Sequence, residues 1–257
     1  MTGQAAEPVF VEVLTDEELS VLAAPGAMPV SPYLRGLDPG IVDAVRRTAY
    51  RSLVARGVLD APTAQAVAAA AASGADEVEL MVRQDVRSVV ALRAAARVVV
   101  AAARATAAGQ DFWYAHVVDD VVLIEEVSRD GMHRFALAES ARLGQLAVAA
   151  VVHPDAGDGA GGGPAVALEG DPGDPTPPGA VLERLGEAFV RADVVVRRPG
   201  DTDPPAFALF SGPGGCWVVE AGTRPRSARP VLAEAARSRV VEAVDQVRAE
   251  AVTLDRR

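Results

Sequence analysis

The stretch from Arg97 to Val127 reads RVVVAAARATAAGQDFWYAHVVDDVVLIEEV, and it decides the fold of this chain. It contains three β-rich runs, at residues 97–103, 112–118 and 121–127. Only Asp119 and Asp120 separate the last two runs, a spacing that is typical of a β-hairpin. The pattern therefore predicts neighbouring antiparallel strands, with a loop at residues 105–111 between the first two.

The sequence on the N-terminal side of this stretch predicts helices. A strand at 8–14 leads to Thr15 and Glu18, which have the spacing of a capping box. Asp38 followed by Pro39 predicts the start of a helix that ends at Gly57. Further elements are predicted as a helix at 62–72, a strand at 78–82, and either a helix or a loop at 84–95.

The sequence on the C-terminal side predicts a second, similar unit. A turn, a strand at 133–137 and a helix at 138–152 complete the first unit, and a Gly/Pro-rich linker with one short strand at 165–168 follows at 153–179. The remaining elements are predicted as a helix at 181–192, strands at 194–198, 207–210 and 216–220, and a closing helix at 230–254.

Three of these elements recur at an offset of 95 or 96 residues. Residues 96–100 match 192–196, Phe112 matches Phe207, and 121–125 match 216–220. The alternative is a chance match between Val-rich strands. The fold class predicted is α+β, a pseudo-two-fold duplicated unit of antiparallel strands plus a closing helix. A single domain would then span 1–257, with halves at about 1–152 and 180–257.

Composition excludes several classes of function. All 25 basic residues are Arg, so lysine-dependent catalysis and lysine-based phosphate binding are ruled out. A net charge of −10 argues against nucleic acid as a partner. The acidic N-terminus, the single cysteine Cys216 and the lack of a long apolar run together predict a cytoplasmic protein with no membrane span, disulfide or zinc cluster.

Candidate catalytic residues are few. His116 and Glu125 would lie on the same face of the predicted hairpin, where they could act as an acid/base pair in a small hydrolase. No nucleophile or second metal ligand is placed beside them, so no catalytic residue, metal or cofactor is predicted. The glycines at 157, 159 and 162 spell G-x-G-x-x-G, but they follow a helix instead of a strand and belong to the linker.

A second alternative is a DNA-binding regulator of the winged-helix type, using residues 38–72. Its basic residues are Arg46, Arg47, Arg51 and Arg56 on the first of two successive helices. Arg47 and Arg51 are four residues apart and share one flank of that helix. The acidic remainder of the chain makes a solvated helix face the simpler interpretation.

The order of elements resembles that of the EspG family of type VII (ESX) secretion-associated proteins. The stretch VFVEVLTDEELSVLA at 9–23 is followed by an arginine-bearing helix that closes in LVARGVL at 53–59. Val58 stands where a leucine would complete the ending Leu53-x-x-Arg56-Gly57-Leu. The Val-rich strand, the hairpin and a second, weaker copy then follow, so the resemblance covers nearly the whole chain.

This resemblance implies a function in protein secretion. Members of the family are cytosolic chaperones that bind the tip of PE–PPE heterodimers, which are helical secretion substrates. The implied partner surface comprises the loop at 105–111 and the helices at 181–192 and 230–254. The partner-binding residues expected there are Ala107, Ala108, Gly109, Gln110, Val240 and Val244.

Overall fold

The computed structural model describes residues 7–22, 31–74, 80–158, 165–168, 179–198, 201–202, 204–220 and 227–254. Within these residues, ten strands form one antiparallel sheet. The strands of the first half are β1 (Val9–Thr15), β2 (Val98–Thr106), β3 (Gly109–Val118), β4 (Val121–Val127) and β5 (Met132–Glu139). Those of the second half are β6 (Val166–Ala167), β7 (Val190–Arg197), β8 (Ala206–Gly212), β9 (Gly215–Glu220) and β10 (Ser227–Val231).

The order of the strands is pseudo-two-fold. It runs β1-β5-β4-β3-β2-β7-β8-β9-β10-β6, so on each side of the β2–β7 pair three consecutive strands lie outward and an earlier strand, β1 or β6, forms the edge. β2 and β7 pair antiparallel, with Val100 opposite Val196 and Ala102 opposite Val194. The predicted α+β fold class is confirmed. Descent of the two halves from one duplicated unit stays a prediction.

Seven α-helices flank this sheet in the described residues. Their bounds are α1 (Asp16–Leu22), α2 (Pro39–Ala55), α3 (Ala64–Ser73), α4 (Gln84–Ala95), α5 (Leu143–Val151), α6 (Gly179–Gly186) and α7 (Ala233–Leu254). Two short 3-10 turns lie at Leu34–Gly36 and Ser140–Arg142. The stretch at 84–95, ambiguous in sequence, is thus a helix.

Local sequence signals account for the helix ends. The Thr15 hydroxyl accepts from the Glu18 amide while Glu18 accepts from the Thr15 amide, both at 3.2 Å, which confirms the capping box. Asp38 accepts from the Gly40 amide at 2.8 Å and caps α2. After α2, Gly57 has a φ of +66°, and the Val58 amide donates to the Leu53 carbonyl at 2.9 Å, as in a Schellman motif.

The main hydrophobic core lies on one face of the sheet, beneath α5 and α7. The two helices pack against each other and against the central strands. The buried residues contributed by the strands alternate along them, which is the period expected when one face is covered. They include Val98, Val100, Trp113, Ala115, Val194, Val196, Phe207, Leu209 and Cys216.

The opposite face of the sheet is covered differently in the two halves. In the first half, α1, α2 and α4 bury a second core with Leu14, Leu53, Val89, Leu123 and Phe135. In the second half, a smaller cluster surrounds Trp217 and Ala228, and Leu185 of α6 packs against it. Cys216 and Trp217 are both buried.

Four predicted boundaries need correction. Residues 105–106 and 109–111 belong to β2 and β3, so the predicted loop at 105–111 is a tight hairpin. Residues 138–139 end β5, residues 190–192 begin β7, and residues 230–231 end a strand, β10, that the sequence did not predict. At residues 138–139 and 190–192 the predicted helices overlap strand residues because Ala, Val and Arg occur readily in both types of element. The predicted strand at 78–82 lies partly outside the described residues, and Val82 forms an isolated bridge to Leu59.

The residue-by-residue alignment of the halves also needs correction in the outer strands. An offset of 95 equates Phe112 with Phe207, yet Phe207 faces α7 whereas Phe112 lies on the face opposite its neighbour Trp113, which is in the main core. Because successive strand residues point to opposite faces, an odd offset exchanges the two faces. An even offset restores them, and Trp113 then shares its face with Phe207.

The linker at 153–179 is described only in part. The predicted short strand is confirmed as β6, whose Val166 pairs with Ala228 of β10. The Gly157 amide donates to the Gly212 carbonyl at 3.0 Å, so this part of the linker contacts the end of β8. Residues 159–164 and 169–178 lie outside the described residues.

Candidate functional site

The β2–β3 hairpin ends in an exposed tip, defined here as residues 107–110. Ala107 and Ala108 form the turn, and Gly109 and Gln110 begin β3. The pairing of β2 with β7 ends at Ala105, and that of β3 with β4 ends at Phe112. The tip therefore projects past the neighbouring strands in the described part of the chain, and its apolar and neutral surface faces solvent.

Polar contacts fix the shape of the hairpin tip. At its base, the Arg104 guanidinium forms a bidentate ion pair with Asp111, at 2.7 and 3.0 Å. Gly109 has a φ of +126°, which side chains other than hydrogen rarely permit. The Thr106 hydroxyl accepts from the Ala108 amide at 3.2 Å. The tip is therefore preorganised, which lowers the entropic cost of binding a partner.

A cleft of about 440 Å³ lies beside the hairpin tip and is named here the tip cleft. One wall is formed by residues 108–111 and the other by residues 128–130 of the β4–β5 turn. Its charged residues are of both signs: Arg104, Arg129, Arg134, Asp111, Glu126 and Asp130. A site of this composition suits a polar or mixed surface better than a strongly charged ligand.

Two of the predicted partner residues are not at the surface. Val240 and Val244 of α7 are 0% and 1% exposed, because they pack on the sheet in the main core. The prediction of direct partner contacts at these residues is therefore corrected. Ala192, at the end of the other predicted surface helix, is likewise fully buried, in β7. An apolar stripe on a helix does not distinguish a core face from a binding face.

Four charged side chains form a buried chain in the first half, named here the ionic chain: Arg93, Glu125, His133 and Asp16. Arg93 donates both its Nε and Nη2 to Glu125, at 2.9 and 3.0 Å. His133 donates from Nδ1 to Glu125 Oε1 at 2.6 Å and from Nε2 to Asp16 Oδ1 at 2.5 Å. Since carboxylates only accept, His133 carries a proton on each ring nitrogen and is an imidazolium.

His116 attaches to the ionic chain from β3. Its Nε2 donates to Glu125 Oε2 at 2.7 Å, while its buried Nδ1 has no hydrogen-bond partner in the described residues. Glu125 thus accepts four hydrogen bonds, about as many as a carboxylate has lone-pair positions. Leaving the buried Nδ1 without a partner costs free energy.

The environment shifts the pKa of two members in opposite directions. Burial by itself would raise the pKa of Glu125, but the hydrogen bonds from His116 and His133 and the charge of Arg93 outweigh it and hold the pKa far below its usual range. Burial would lower the pKa of His133, but hydrogen bonds to Asp16 and Glu125 outweigh it and raise the pKa. Both shifts favour the charged forms that the ionic chain requires.

The structure brings together the residues of the predicted acid/base pair without exposing them. His116 and Glu125 are in contact, as the hairpin register predicted, but both are 0% exposed and line none of the described clefts. A general base must reach a substrate, so the geometry gives a hydrolase no support. Nor do the described residues place three or more His, Cys, Asp or Glu side chains around a common metal position.

The DNA-binding alternative receives no support from the geometry either. Arg56 is engaged by Glu12 and Glu18, at 2.9 and 2.7 Å, so it stabilises the attachment of α2 to β1 and α1. The second helix, α3, carries no charged residue, and none of its residues is buried. A recognition helix would need side chains that reach base edges or phosphates.

Sequence reasoning missed Asp16 and Arg93 as members of the ionic chain. Asp16 lies inside the Thr15–Glu18 capping box, which predicts a helix start and no burial, and Arg93 lies in the stretch that is ambiguous between helix and loop. The one available signal was the pattern of β4, where Glu125 occupies a position expected to be buried. A buried carboxylate requires a cation, but the sequence does not say which one.

Comparisons with known proteins give a match in fold but none in sequence. At the level of sequence, no family model and no curated protein matches this chain. Among solved structures, the Mycobacterium tuberculosis type VII secretion system chaperone EspG5, in complex with the PE25–PPE41 dimer, is similar at a TM-score of 0.52 and 13% identity. The alignment covers 92% of this chain and 95% of that chain.

The two proteins share a fold. The EspG-like architecture expected from the order of elements is therefore confirmed over nearly the whole chain. This structural neighbour is a chaperone. In addition, no helix among the described residues has the length and apolar character needed to cross a membrane.

Proposed function

We propose that this protein is a cytoplasmic chaperone or adaptor that binds helical type VII (ESX) secretion substrates of the PE/PPE kind and catalyses no reaction. The observation that carries the proposal is the fold shared with EspG5, a chaperone whose structure contains a PE–PPE dimer. Fold alone does not determine function. The proposal therefore also depends on the surface that this chain presents.

The hairpin tip is the surface that supports the proposal best. Its four residues are exposed, uncharged and held in one conformation by Arg104, Asp111 and Gly109. A rigid, neutral projection suits the apolar end of a helical client, because burial of apolar surface supplies the free energy of binding. The tip cleft beside it offers charged groups of both signs for the polar rim of such an interface.

The first test is capture of a client by co-expression. Small helical proteins encoded beside this chain, of the PE/PPE or WxG type, are co-expressed with it and purified through a tag on this chain. We expect a stable complex whose dissociation constant changes only mildly between low and high salt, because salt screens exposed charges and not apolar contacts. Failure of every such protein to co-purify would contradict the proposal.

A matched pair of variants localises the contact. Replacing Ala107 and Ala108 by Asp is expected to abolish capture without lowering the melting temperature, since both residues are exposed in a turn. The control replaces Ala94 and Ala95, also exposed alanines, which precede the opposite end of β2. β2 spans about 26 Å between the tip and the end that follows these alanines, so the control variant should still bind the client.

We also infer that the chain is a single domain made of two related halves, at about 1–152 and 180–257. The pairing of β2 with β7 supports this arrangement, because seven residues of each strand form one continuous ladder between the halves. Separated halves would each expose the edge of a central strand, and such edges favour aggregation.

A further inference from the structure

The ionic chain ends at a junction of three backbone segments. Asp16 Oδ2 accepts from the Tyr33 and Leu34 amides, at 2.7 and 3.2 Å. The Asp16 amide itself donates to the Gly131 carbonyl at 2.8 Å. Through its carboxylate and its backbone amide, the buried residue Asp16 therefore joins the start of α1, the segment at 31–37 and the β4–β5 turn.

The junction is closely packed around Gly131. A Cβ atom at this position would lie 2.8 Å from Tyr33 Cβ and 3.0 Å from Asp16 Cγ. Gly131 also has a φ of +73°, a conformation that glycine adopts without strain. The segment at 31–37 thus rests directly on the β4–β5 turn, which is also one wall of the tip cleft.

The charges of the ionic chain are balanced in pairs. His133 faces Asp16 from α1 and Glu125 from β4, and its ring stacks on Phe135 of β5 at 6.3 Å. Beyond Glu125 lie Arg93 of α4 and His116 of β3. Glu125 keeps Arg93 as a counter-charge whatever the state of His133. Among the described residues, His133 is the only counter-charge of Asp16.

Loss of one proton therefore affects the two carboxylates unequally. When His133 is neutral, Glu125 still accepts from Arg93 and His116. Asp16 becomes a fully buried carboxylate without a counter-charge, held by two backbone amides. An uncompensated buried charge is strongly unfavourable, and it is relieved if the Asp16 junction opens to water.

We propose that the ionic chain is a proton-operated latch: doubly protonated His133 holds residues 31–37 and the β4–β5 turn together, and its deprotonation opens the Asp16 junction. The direction of the pH dependence follows from the raised pKa of His133 in the closed state. The latch is fully closed below the ordinary value of 6.5 and weakens as pH rises from there through the raised pKa. It is a property of the free protein and does not depend on the proposed client.

Amide hydrogen exchange by NMR tests the latch. Exchange of any amide becomes faster with hydroxide concentration, by about tenfold per pH unit, and release of one proton on opening adds about another tenfold. Between pH 6.5 and the raised pKa, the Tyr33 and Leu34 amides should therefore accelerate by about a hundredfold per unit. Amides of the exposed helix α3, such as that of Val67, open locally without releasing this proton and should accelerate by about tenfold per unit.

Two variants and one control complete the experiment. Asp16→Asn removes the buried anion and His133→Gln removes the titrating ring, so either should return residues 33 and 34 to the ordinary pH dependence. His153→Gln makes the same change in a ring that packs on Phe189 at 4.7 Å, and it should leave the steep dependence intact. An ordinary slope at Tyr33 and Leu34 in the unmodified protein would overturn the proposal even if a variant failed to fold.

Discussion

The two halves of this protein use matching strands, but they cover the face opposite α5 and α7 in different ways. In the first half, α1, α2 and α4 enclose that face, and the ionic chain lies at its centre with Asp16 and Glu125 fully buried. In the second half, the same face carries an apolar cluster around Trp217 and Ala228, against which Leu185 of α6 packs. One sheet thus supports a charged layer and an apolar layer.

The difference shows what each kind of layer needs from its surroundings. Burying apolar side chains stabilises the fold whichever element covers them, so in the second half the short helix α6 contributes by removing part of the apolar cluster from water. Buried charges need partners in exact positions, and the helices of the first half supply Arg93 and Asp16. A buried ionic network adds little net stability over an apolar core, but it fixes one arrangement of the elements that carry its members.

The largest expected effect comes from removing the central carboxylate of the first half. Glu125→Gln leaves Arg93 and His133 without their shared partner in a buried site, which should lower the free energy of unfolding by about 3–5 kcal/mol. The measurement is the urea midpoint at neutral pH. Glu220 is the matched control, because an offset of 95 residues equates it with Glu125. Unlike Glu125, it lies on the face of the sheet toward α7, where it pairs with Arg239 at 3.0 Å.

Glu220→Gln should cost about 1 kcal/mol or less, since its pair with Arg239 is partly open to solvent. An equal loss of unfolding free energy in the two variants would mean that the two carboxylates contribute alike, in spite of the different helices that cover the two halves. A small loss for Glu125→Gln alone would mean that the ionic chain is not closed in solution.

A smaller effect is expected at the glycine of the Asp16 junction. Gly131→Ala must place a Cβ within 3.0 Å of Tyr33 and Asp16 in addition to adopting a positive φ, so we expect a loss of about 2–3 kcal/mol. Gly74, at the end of the exposed helix α3, has a φ of +70° and nothing within 4 Å of its Cβ position. Gly74→Ala should therefore cost about 1 kcal/mol, the conformational part alone. Denaturant unfolding of both variants separates the packing contribution from the backbone contribution.

The smallest effect is the dependence of stability on pH, measured as the change per pH unit. Because His133 binds its proton more tightly in the folded state, stability should fall by up to about 1.4 kcal/mol per unit as pH rises from 6.5 toward the raised pKa. His133→Gln should remove this slope, whereas His153→Gln should retain it. Urea titrations at several pH values provide the measurement, and equal slopes in the two variants would contradict the assignment to His133.

The hairpin register shows how far sequence reasoning could reach toward the candidate sites. It predicted that His116 lies beside Glu125, because a two-residue turn at Asp119 and Asp120 fixes which residues share a face, and the 2.7 Å contact confirms it. It did not predict that both side chains are fully buried. Burial depends on α4 and α1, which belong to other parts of the sequence.

For the C-terminal helix, the sequence predicts the wrong partner for an apolar face. Val240 and Val244 are predicted to contact a client, but both are core residues. Periodicity identifies the face of a helix that must be covered, and it does not say whether the cover is the protein's own sheet or another molecule. The exposed tip at Ala107 and Ala108, predicted as a loop, stays a proposal for the client site.

The sequence by itself determined the elements that depend on near neighbours: the alternation of the strands, the Thr15–Glu18 capping box, the Asp38 cap and the glycine that ends α2. Tertiary structure alone decided which faces of those elements are buried and which charges meet. Asp16 and His133 are 117 residues apart, and no local pattern links them. The physical reason is that hydrogen bonding and periodicity act over a few residues, whereas desolvation and charge pairing are set by whatever the folded chain brings within a few ångströms.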